Sequence, residues 1–418
     1  MSNGIQIGLN QTFTGYYKVG VVDPKTDSVE WKSEGKNLIL NQGMDNLYAM
    51  SVADQTAYGI CGVGTRPNSI DGGSSQISQS GTVIHLSDTS GAVKDFTSSF
   101  DAYSNTCQVG DVIAFANGSQ SLIQTVTNGF NLTVTPSYTF VQSQSFVVWK
   151  TSQIGLQSEI SRSTSYLTGN GNCGSTFNNL GSGSIIHRRT YDFPNILQQM
   201  SYNEIGVGWT SSGATKVFSR ILINPVIVFA GFRLRIVYDL QTQYTPTGSI
   251  FGAASIGGWP VSPATTTNGT QSVQKFLCSY IDTNGASQNT DAALDPYYLS
   301  SLPSYWSIWL STNSSSLGTF GNAVDRTVGS YATSGANQGS LAAYSLLNFF
   351  CDKTGTVLAG AAATDHVRSI GFGVEGSGKN PANSTNQAFA FVFDQAQTIL
   401  STQTLSMTFR YVWSRTLG

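Results

Sequence analysis

Leu234-Arg-Ile-Val-Tyr238 alternates apolar with polar residues, and Leu405-Ser-Met-Thr-Phe409 does the same 171 positions further along the chain. Alternation with a period of two is typical of a β-strand that has one buried and one exposed face. Phe218 precedes the first stretch and Phe389 the second by the same 16 residues. This common spacing predicts a duplicated β-sandwich. Chance similarity between two generic β sequences is the alternative.

A second motif recurs upstream of both stretches. Glu204-Ile-Gly-Val-Gly208 precedes the first, and Ser369-Ile-Gly-Phe-Gly373 precedes the second. The spacing between these two motifs is six residues shorter than the offset of 171. A longer loop over residues 376–386 would absorb that difference.

The composition also favours β structure. Only 11% of the 418 residues are charged, against ~25% in an ordinary soluble domain. Thr, Val, Ile and aromatic residues suit strands, whereas the 44 glycines, with Asn and Ser, suit the turns between them. One short helix is expected within residues 37–50, because Leu40, Met44 and Leu47 can share a face. The predicted fold class is therefore all-β.

Residues 96–150 resemble a separate small β unit. Asn117-Gly118 and Asn128-Gly129 are two-residue turn signals between short apolar runs. We predict two β-sandwich (jelly-roll-like) domains with a small β-barrel-like insertion. Residues 1–95 plus 151–245 would form the first sandwich, 96–150 the insertion, and 246–418 the second sandwich.

Charge and hydropathy argue against several partners. A net charge of −2 lacks the basic excess that nucleic-acid binding requires. No run of 18 apolar residues is present, so membrane insertion is not expected. Met1-Ser-Asn-Gly-Ile-Gln6 has neither the basic nor the apolar region of a signal peptide. We expect synthesis in the cytoplasm of the producing cell.

Signals for catalysis are weak. The five cysteines include no C-x-x-C pair, and the three histidines are not close to other ligand-type residues, so neither metal nor other cofactor is expected. Nucleophile-elbow, P-loop and H-E-x-x-H motifs are absent. A pair of distant carboxylates remains the one catalytic alternative, with four candidates. These are Asp101, Asp111, Glu159 and Glu204.

An aromatic cluster surrounds Pro303 and is the candidate contact site. On the surface, it could stack on sugar rings or anchor a protein interface; packing inside a large β core is the alternative. Its members are Tyr297, Tyr298, Tyr305, Trp306 and Trp309.

Three motifs together give a family resemblance. They are Val29-Glu-Trp31 followed by residues 37–45, Gly62-Val-Gly-Thr65 followed by Pro67, and residues 202–208 followed by Phe218-Ser-Arg220 and residues 231–238. In this order the chain resembles β-sandwich virion proteins of tailed bacteriophages, over roughly residues 15–240. Similar proteins occur in tails, collars and fibres.

The resemblance implies a non-enzymatic structural protein that is made in the host cytoplasm and built into the virion in symmetric copies. Its expected partners are copies of itself and other virion proteins at the tail, neck or collar, or in a fibre-like appendage. Alternatives are an adhesin that recognises a host surface glycan, a capsid decoration protein, and a carbohydrate-active β-fold enzyme. No collagen-like or heptad shaft is present, so a long fibre stalk is not expected.

Overall fold

The computed structural model confirms the all-β class. Over the described residues the chain forms 24 strands and two short helices. These residues are 5–47, 49–50, 52–72, 76–87, 96–97, 106–138, 140, 144–166, 175–176, 183–212, 215–248, 261–262, 273–278, 306–311, 340–341, 350–358, 365–374, 387–399 and 404–417.

The elements follow one another along the chain with these bounds. The strands are β1 Ile5–Val22, β2 Val29–Ile39, β3 Tyr58–Gly62, β4 Ser69–Asp71, β5 Gln76–Ser80, β6 Val83–Ser87, β7 Val112–Phe115, β8 Gln120–Asn128, β9 Asn131–Thr135, β10 Phe146–Trp149, β11 Glu159–Tyr166, β12 Ser175–Thr176, β13 Gly183–Asp192, β14 Met200–Gly208, β15 Val217–Val228, β16 Arg233–Gly248, β17 Val261–Ser262, β18 Val273–Cys278, β19 Trp306–Ser311, β20 Ser340–Leu341, β21 Phe350–Leu358, β22 Asp365–Val374, β23 Gln387–Ile399 and β24 Thr404–Arg415. The helices are α1 Asn41–Asn46 and α2 Val52–Gln55.

Eight antiparallel strands form a closed circuit of hydrogen-bonded neighbours. The circuit runs β1-β2-β15-β14-β3-β11-β13-β16 and returns to β1. Two strands belong to both layers: β2 pairs with β1 and β15, and β11 pairs with β3 and β13. Strands that switch layers in this way make the corners of a sandwich. One layer is thus β2-β1-β16-β13-β11, and the other is β11-β3-β14-β15-β2.

The core lies between these two layers. The predicted alternation in β16 is confirmed, because Leu234, Ile236 and Tyr238 are buried while Arg235 and Val237 lie on the outer face. Burial of such side chains contributes about 25 cal/mol per Å² of apolar area. The core is the main source of stability for this sandwich.

A separate seven-stranded sheet forms the inserted unit, in the order β4-β10-β7-β8-β9-β6-β5. It has its own apolar core, which includes Ile70, Ile84 and Ile123. Three of its strands precede residue 96, so the sheet begins earlier than the predicted insertion. Strands of three to five residues are too short to show a clear period in the sequence. The predicted turn at Asn117-Gly118 is present, with a φ of +84° at Gly118.

A four-stranded sheet, β18-β23-β22-β19, has the pairing order of β2-β15-β14-β3. The bulges of β14–β15 at Tyr202/Glu204 and Val207/Gly208 recur in β22–β23 at Val367/Ser369 and Phe372/Gly373. The recurring register supports a duplication, although the domain limits remain a prediction.

The register corrects one detail of the sequence alignment. Val207 pairs with Ser219, and its counterpart Phe372 pairs with Phe389. Phe389 therefore corresponds in this hairpin to Ser219, one residue away from Phe218. The bulges shift the pairing locally, which an ungapped sequence offset cannot show.

The first and last strands connect the two halves of the chain. Residues Ile5 to Phe13 of β1 pair in parallel with residues Met407 to Arg415 of β24. Trp413 of β24 is buried, and its Nε1 donates a hydrogen bond of 2.8 Å to the carbonyl of Met44. The C-terminal strand therefore packs against the first sandwich, in addition to pairing with β21.

Candidate functional site

The outer face of the layer β13-β16-β1-β2 carries a groove centred on Trp31, called here the Trp31 groove. The strand registers place Asp192, Arg235, Gly20 and Trp31 in one row across the four strands. The next row consists of Thr190, Val237, Lys18 and Glu34. Residues that are far apart in the sequence therefore meet on one face.

The Trp31 ring lies against Gly20. A methyl group added at Gly20 would come within 2.9 Å of Trp31 Cε3 and 2.9 Å of the Glu30 carbonyl oxygen. The Nζ atom of Lys18 lies 4.9 Å from the centroid of the ring, within the range of a cation–π interaction. Trp31 nevertheless remains 40% exposed. The ring is thus positioned between Gly20 and Lys18, with part of its surface open to solvent.

Two depressions meet at Trp31 and share Val237. Their volumes are about 1070 Å³ and 590 Å³. Nine of the 22 residues that line them are charged, in a chain that is 11% charged overall. The Trp31 groove is therefore a concentration of charge on a protein with little of it.

Each carboxylate that lines the groove is paired with a cation. Arg235 binds Asp192 through two bonds, of 2.5 and 2.6 Å. Arg188 binds Asp239 in the same way, at 2.7 and 2.6 Å, and this bond raises the pKa of Arg188.

The other two carboxylates of the groove, Asp27 and Glu34, also have cation partners. Asp27 accepts a hydrogen bond from Arg233, and Glu34 lies 3.4 Å from Lys18. The Arg–Asp pairs supply planar donors and acceptors in a defined geometry. Such groups can form hydrogen bonds with the hydroxyl groups of a ligand.

A second polar feature connects the inserted unit to the sandwich, and we call it the polar joint. It comprises two buried ion pairs, Glu204–Arg220 and Asp111–Lys150, together with Asn41. Both ion pairs are almost completely excluded from solvent. The chain segments that enter and leave the inserted unit are bonded to these residues.

Glu204 and Arg220 hold both connecting segments. Arg220 Nη2 donates to Glu204 Oε1 at 2.5 Å and to the carbonyl oxygen of Arg66 at 2.7 Å, on the entering segment. The leaving segment donates from the Gln157 backbone N–H to Glu204 Oε2 at 2.8 Å. Burial lowers the pKa of Arg220, and the charge of Glu204 partly offsets this.

Asn41 attaches the inserted unit on the other side of the joint, where Asp111 binds Lys150 at the start of the leaving segment. Lys150 Nζ donates to Asp111 Oδ2 and, at 2.6 Å, to the carbonyl of Thr106. Asn41 Nδ2 donates to the carbonyl of Gly110 at 2.6 Å. The first residue of α1 is thereby bonded to the inserted unit.

Three of the four candidate catalytic carboxylates lie in ion pairs. Asp111 faces Lys150, Glu159 faces Arg162 and Glu204 faces Arg220. Asp101 lies outside the described residues. Each of the three described carboxylates is thus paired with a cation.

The predicted aromatic cluster is described only in part. Trp306 and Trp309 lie in β19, opposite Val374 and Gly371 of β22, and their side chains are not described. Tyr297, Tyr298 and Tyr305 lie outside the described residues. The cluster therefore stays a prediction.

Two thiols and two histidines have ordinary structural surroundings. Cys61 and Cys107 are free and buried, and burial raises the pKa of the Cys107 thiol to about 12. His187 accepts a bond of 2.9 Å from Arg189, and His85 bonds to Asn131 at 2.9 Å. Within the part of the chain that is described, no three His, Cys, Asp or Glu side chains are grouped as metal ligands. No described helix is long and apolar enough to span a membrane.

Comparison with known proteins found no family model, curated protein or solved structure that matches this chain.

Proposed function

We propose that this chain is a non-enzymatic structural component of a tailed-phage virion, assembled in multiple symmetric copies at the tail, neck or collar, or as a fibre-like appendage. In this role it is made in the host cytoplasm and binds copies of itself and other virion proteins. It requires no cofactor.

The polar joint is the observation that carries this proposal. Burying two ion pairs costs desolvation energy that apolar residues would not cost. Each ion pair lies within one of the two parts, and the groups that form the pairs also bind across the joint. Arg220 donates to the Arg66 carbonyl, the Gln157 N–H donates to Glu204, and beside them Asn41 donates to the Gly110 carbonyl. A fixed orientation of the inserted unit on the sandwich is what a building block needs when its two parts contact different neighbours.

A second candidate function is receptor binding to a host surface glycan. It is favoured by the Trp31 groove, which combines an exposed aromatic ring with fixed polar groups. The two functions are compatible, since a distal tail protein can be both a structural part and an adhesin.

Quantitative mass spectrometry of gradient-purified particles tests the structural proposal. Particles whose genome encodes this chain should contain it at a fixed copy number that matches a multiple of the virion symmetry. A chain that stays in the unassembled fraction of the lysate would contradict the proposal.

A further inference from the structure

We propose that the Trp31 groove binds a neutral carbohydrate chain, with the apolar face of one pyranose ring stacked on Trp31. The inference rests on the receptor-binding candidate above and is independent of the structural role. It differs from the predicted Tyr297–Trp309 cluster, which lies in another part of the chain.

Trp31 supplies the stacking surface. An indole ring has an apolar face that suits the axial C–H face of a pyranose, and an exposed ring fixed by its surroundings loses little entropy on binding. Gly20 allows the ring to lie close to the strand, because a side chain there would meet both Trp31 and the Glu30 carbonyl at 2.9 Å. The ring is therefore held where a sugar can reach it.

The ion pairs beside Trp31 supply the hydrogen bonds. Arg235 and Asp192 are in the row of Trp31, and Arg233 binds Asp27 at the same end of the groove. A sugar hydroxyl can donate to a carboxylate oxygen and accept from a guanidinium N–H without separating the two charges. Rows of fixed donors and acceptors beside an apolar surface are typical of specific ligand sites.

The charge of the groove favours a neutral ligand. Five cations line it, namely Lys18, Arg162, Arg188, Arg233 and Arg235, against four carboxylates. A polyanion such as nucleic acid needs a clear excess of cations. Here that excess is one, so hydroxyl groups are better matched to the groove than phosphates are.

The shape of the groove favours an oligosaccharide over a protein surface. Two joined depressions of about 1070 and 590 Å³ exceed the roughly 300–1,000 Å³ of a typical small-ligand pocket. A second copy of this chain would present the same depression, and two depressions do not fill one another in a symmetric contact. A protein partner would also have to dehydrate ion pairs that are already satisfied.

Isothermal titration calorimetry on the full chain tests the inference. The probes are cellohexaose, maltohexaose and N-acetylchitohexaose, with an oligogalacturonate of similar length as the anionic comparison. We expect at least one neutral oligosaccharide to bind, and Trp31→Ala to weaken that binding by about tenfold or more. Trp31→Phe should retain part of the affinity, because the stacking surface is smaller but present.

Phe130→Ala is the matched control, since Phe130 lies in the inserted unit and is 41% exposed, close to the 40% of Trp31. This control should bind as the wild type does. Absence of binding to all three neutral oligosaccharides, equal binding by Trp31→Ala, or binding of the oligogalacturonate alone would overturn the inference.

Particle incorporation separates this inference from the structural proposal. Trp31→Ala should enter particles at the wild-type copy number, because we assign the groove to carbohydrate and not to assembly. Loss of Trp31→Ala from particles would identify the groove as an assembly interface and overturn carbohydrate binding there. Failure of the wild type to enter particles would contradict the structural proposal and leave the calorimetric result standing.

Discussion

Glu204→Gln is the substitution that tests the polar joint most sharply. It keeps the size of the side chain and an acceptor for the Gln157 N–H, but it removes the charge that faces Arg220. Arg220 is fully buried, so its guanidinium would keep only neutral partners, among them the Arg66 carbonyl and Gln153. Breaking a buried ion pair by removing one partner costs about 3–5 kcal/mol.

The assay is urea unfolding of the full chain, followed by intrinsic fluorescence, with limited proteolysis of the connecting segments 63–68 and 150–158. We expect Glu204→Gln to lower the unfolding free energy by about 3–5 kcal/mol and to speed cleavage in both segments. The double variant Glu204→Leu/Arg220→Met should recover most of the stability, because it leaves no unpaired charge.

Glu34→Gln is the control for this experiment. Glu34 is 71% exposed and lies 3.4 Å from Lys18, so the loss of its charge should cost about 0–1 kcal/mol. If Glu204→Gln were no more destabilising than Glu34→Gln, the Glu204–Arg220 pair would not be a buried electrostatic interaction that stabilises the fold.

Three further predictions concern other parts of the chain. Gly20→Ala should destabilise the first sandwich by about 1–3 kcal/mol, because the new methyl group would lie 2.7 Å from Val29 Cγ1 and 2.9 Å from the Glu30 carbonyl oxygen. A melting temperature equal to that of the wild type would argue against this packing. Burial in the folded state raises the pKa of Cys107 from 9.0 to about 12. The unfolded chain therefore loses this proton at lower pH, and the free energy of unfolding should fall as the pH rises from about 9 towards 12. Cys107→Val should reduce this pH dependence in urea titrations, and an unchanged dependence would contradict the burial of the thiol as its cause. Deletion of residues 1–10 removes most of the part of β1 that pairs with β24 and should promote aggregation through the exposed edge of β24. Light scattering that stays at the wild-type level would show that β1 does not protect this edge.

Some of the fold could be predicted from the sequence because local patterns determine it. The alternation of Leu234-Arg-Ile-Val-Tyr238 gave the buried face of β16, and the Asn117-Gly118 turn followed from backbone preference. The strand Ser69–Asp71 was missed, because three residues carry no period and its place depends on pairing with β10.

The candidate site was largely beyond prediction because it depends on register. Trp31 meets Gly20 only because a bulge in β1–β2 shifts the pairing between Val19 and Gly20. The polar joint has one signal in the sequence: Glu204 and Arg220 each directly precede apolar residues, Ile205-Gly-Val207 and Ile221-Leu-Ile223. A charge beside such residues indicates a buried partner, although the sequence does not identify which one.

A cryo-EM map of intact particles that contain this chain would show whether it is a structural component. We expect ordered, symmetry-related copies at the tail, neck, collar or a fibre-like appendage, with the inserted unit in the same orientation on the first sandwich in every copy. Particles without density for the chain would contradict the structural function, and copies with the inserted unit in variable orientations would contradict the role given to the polar joint.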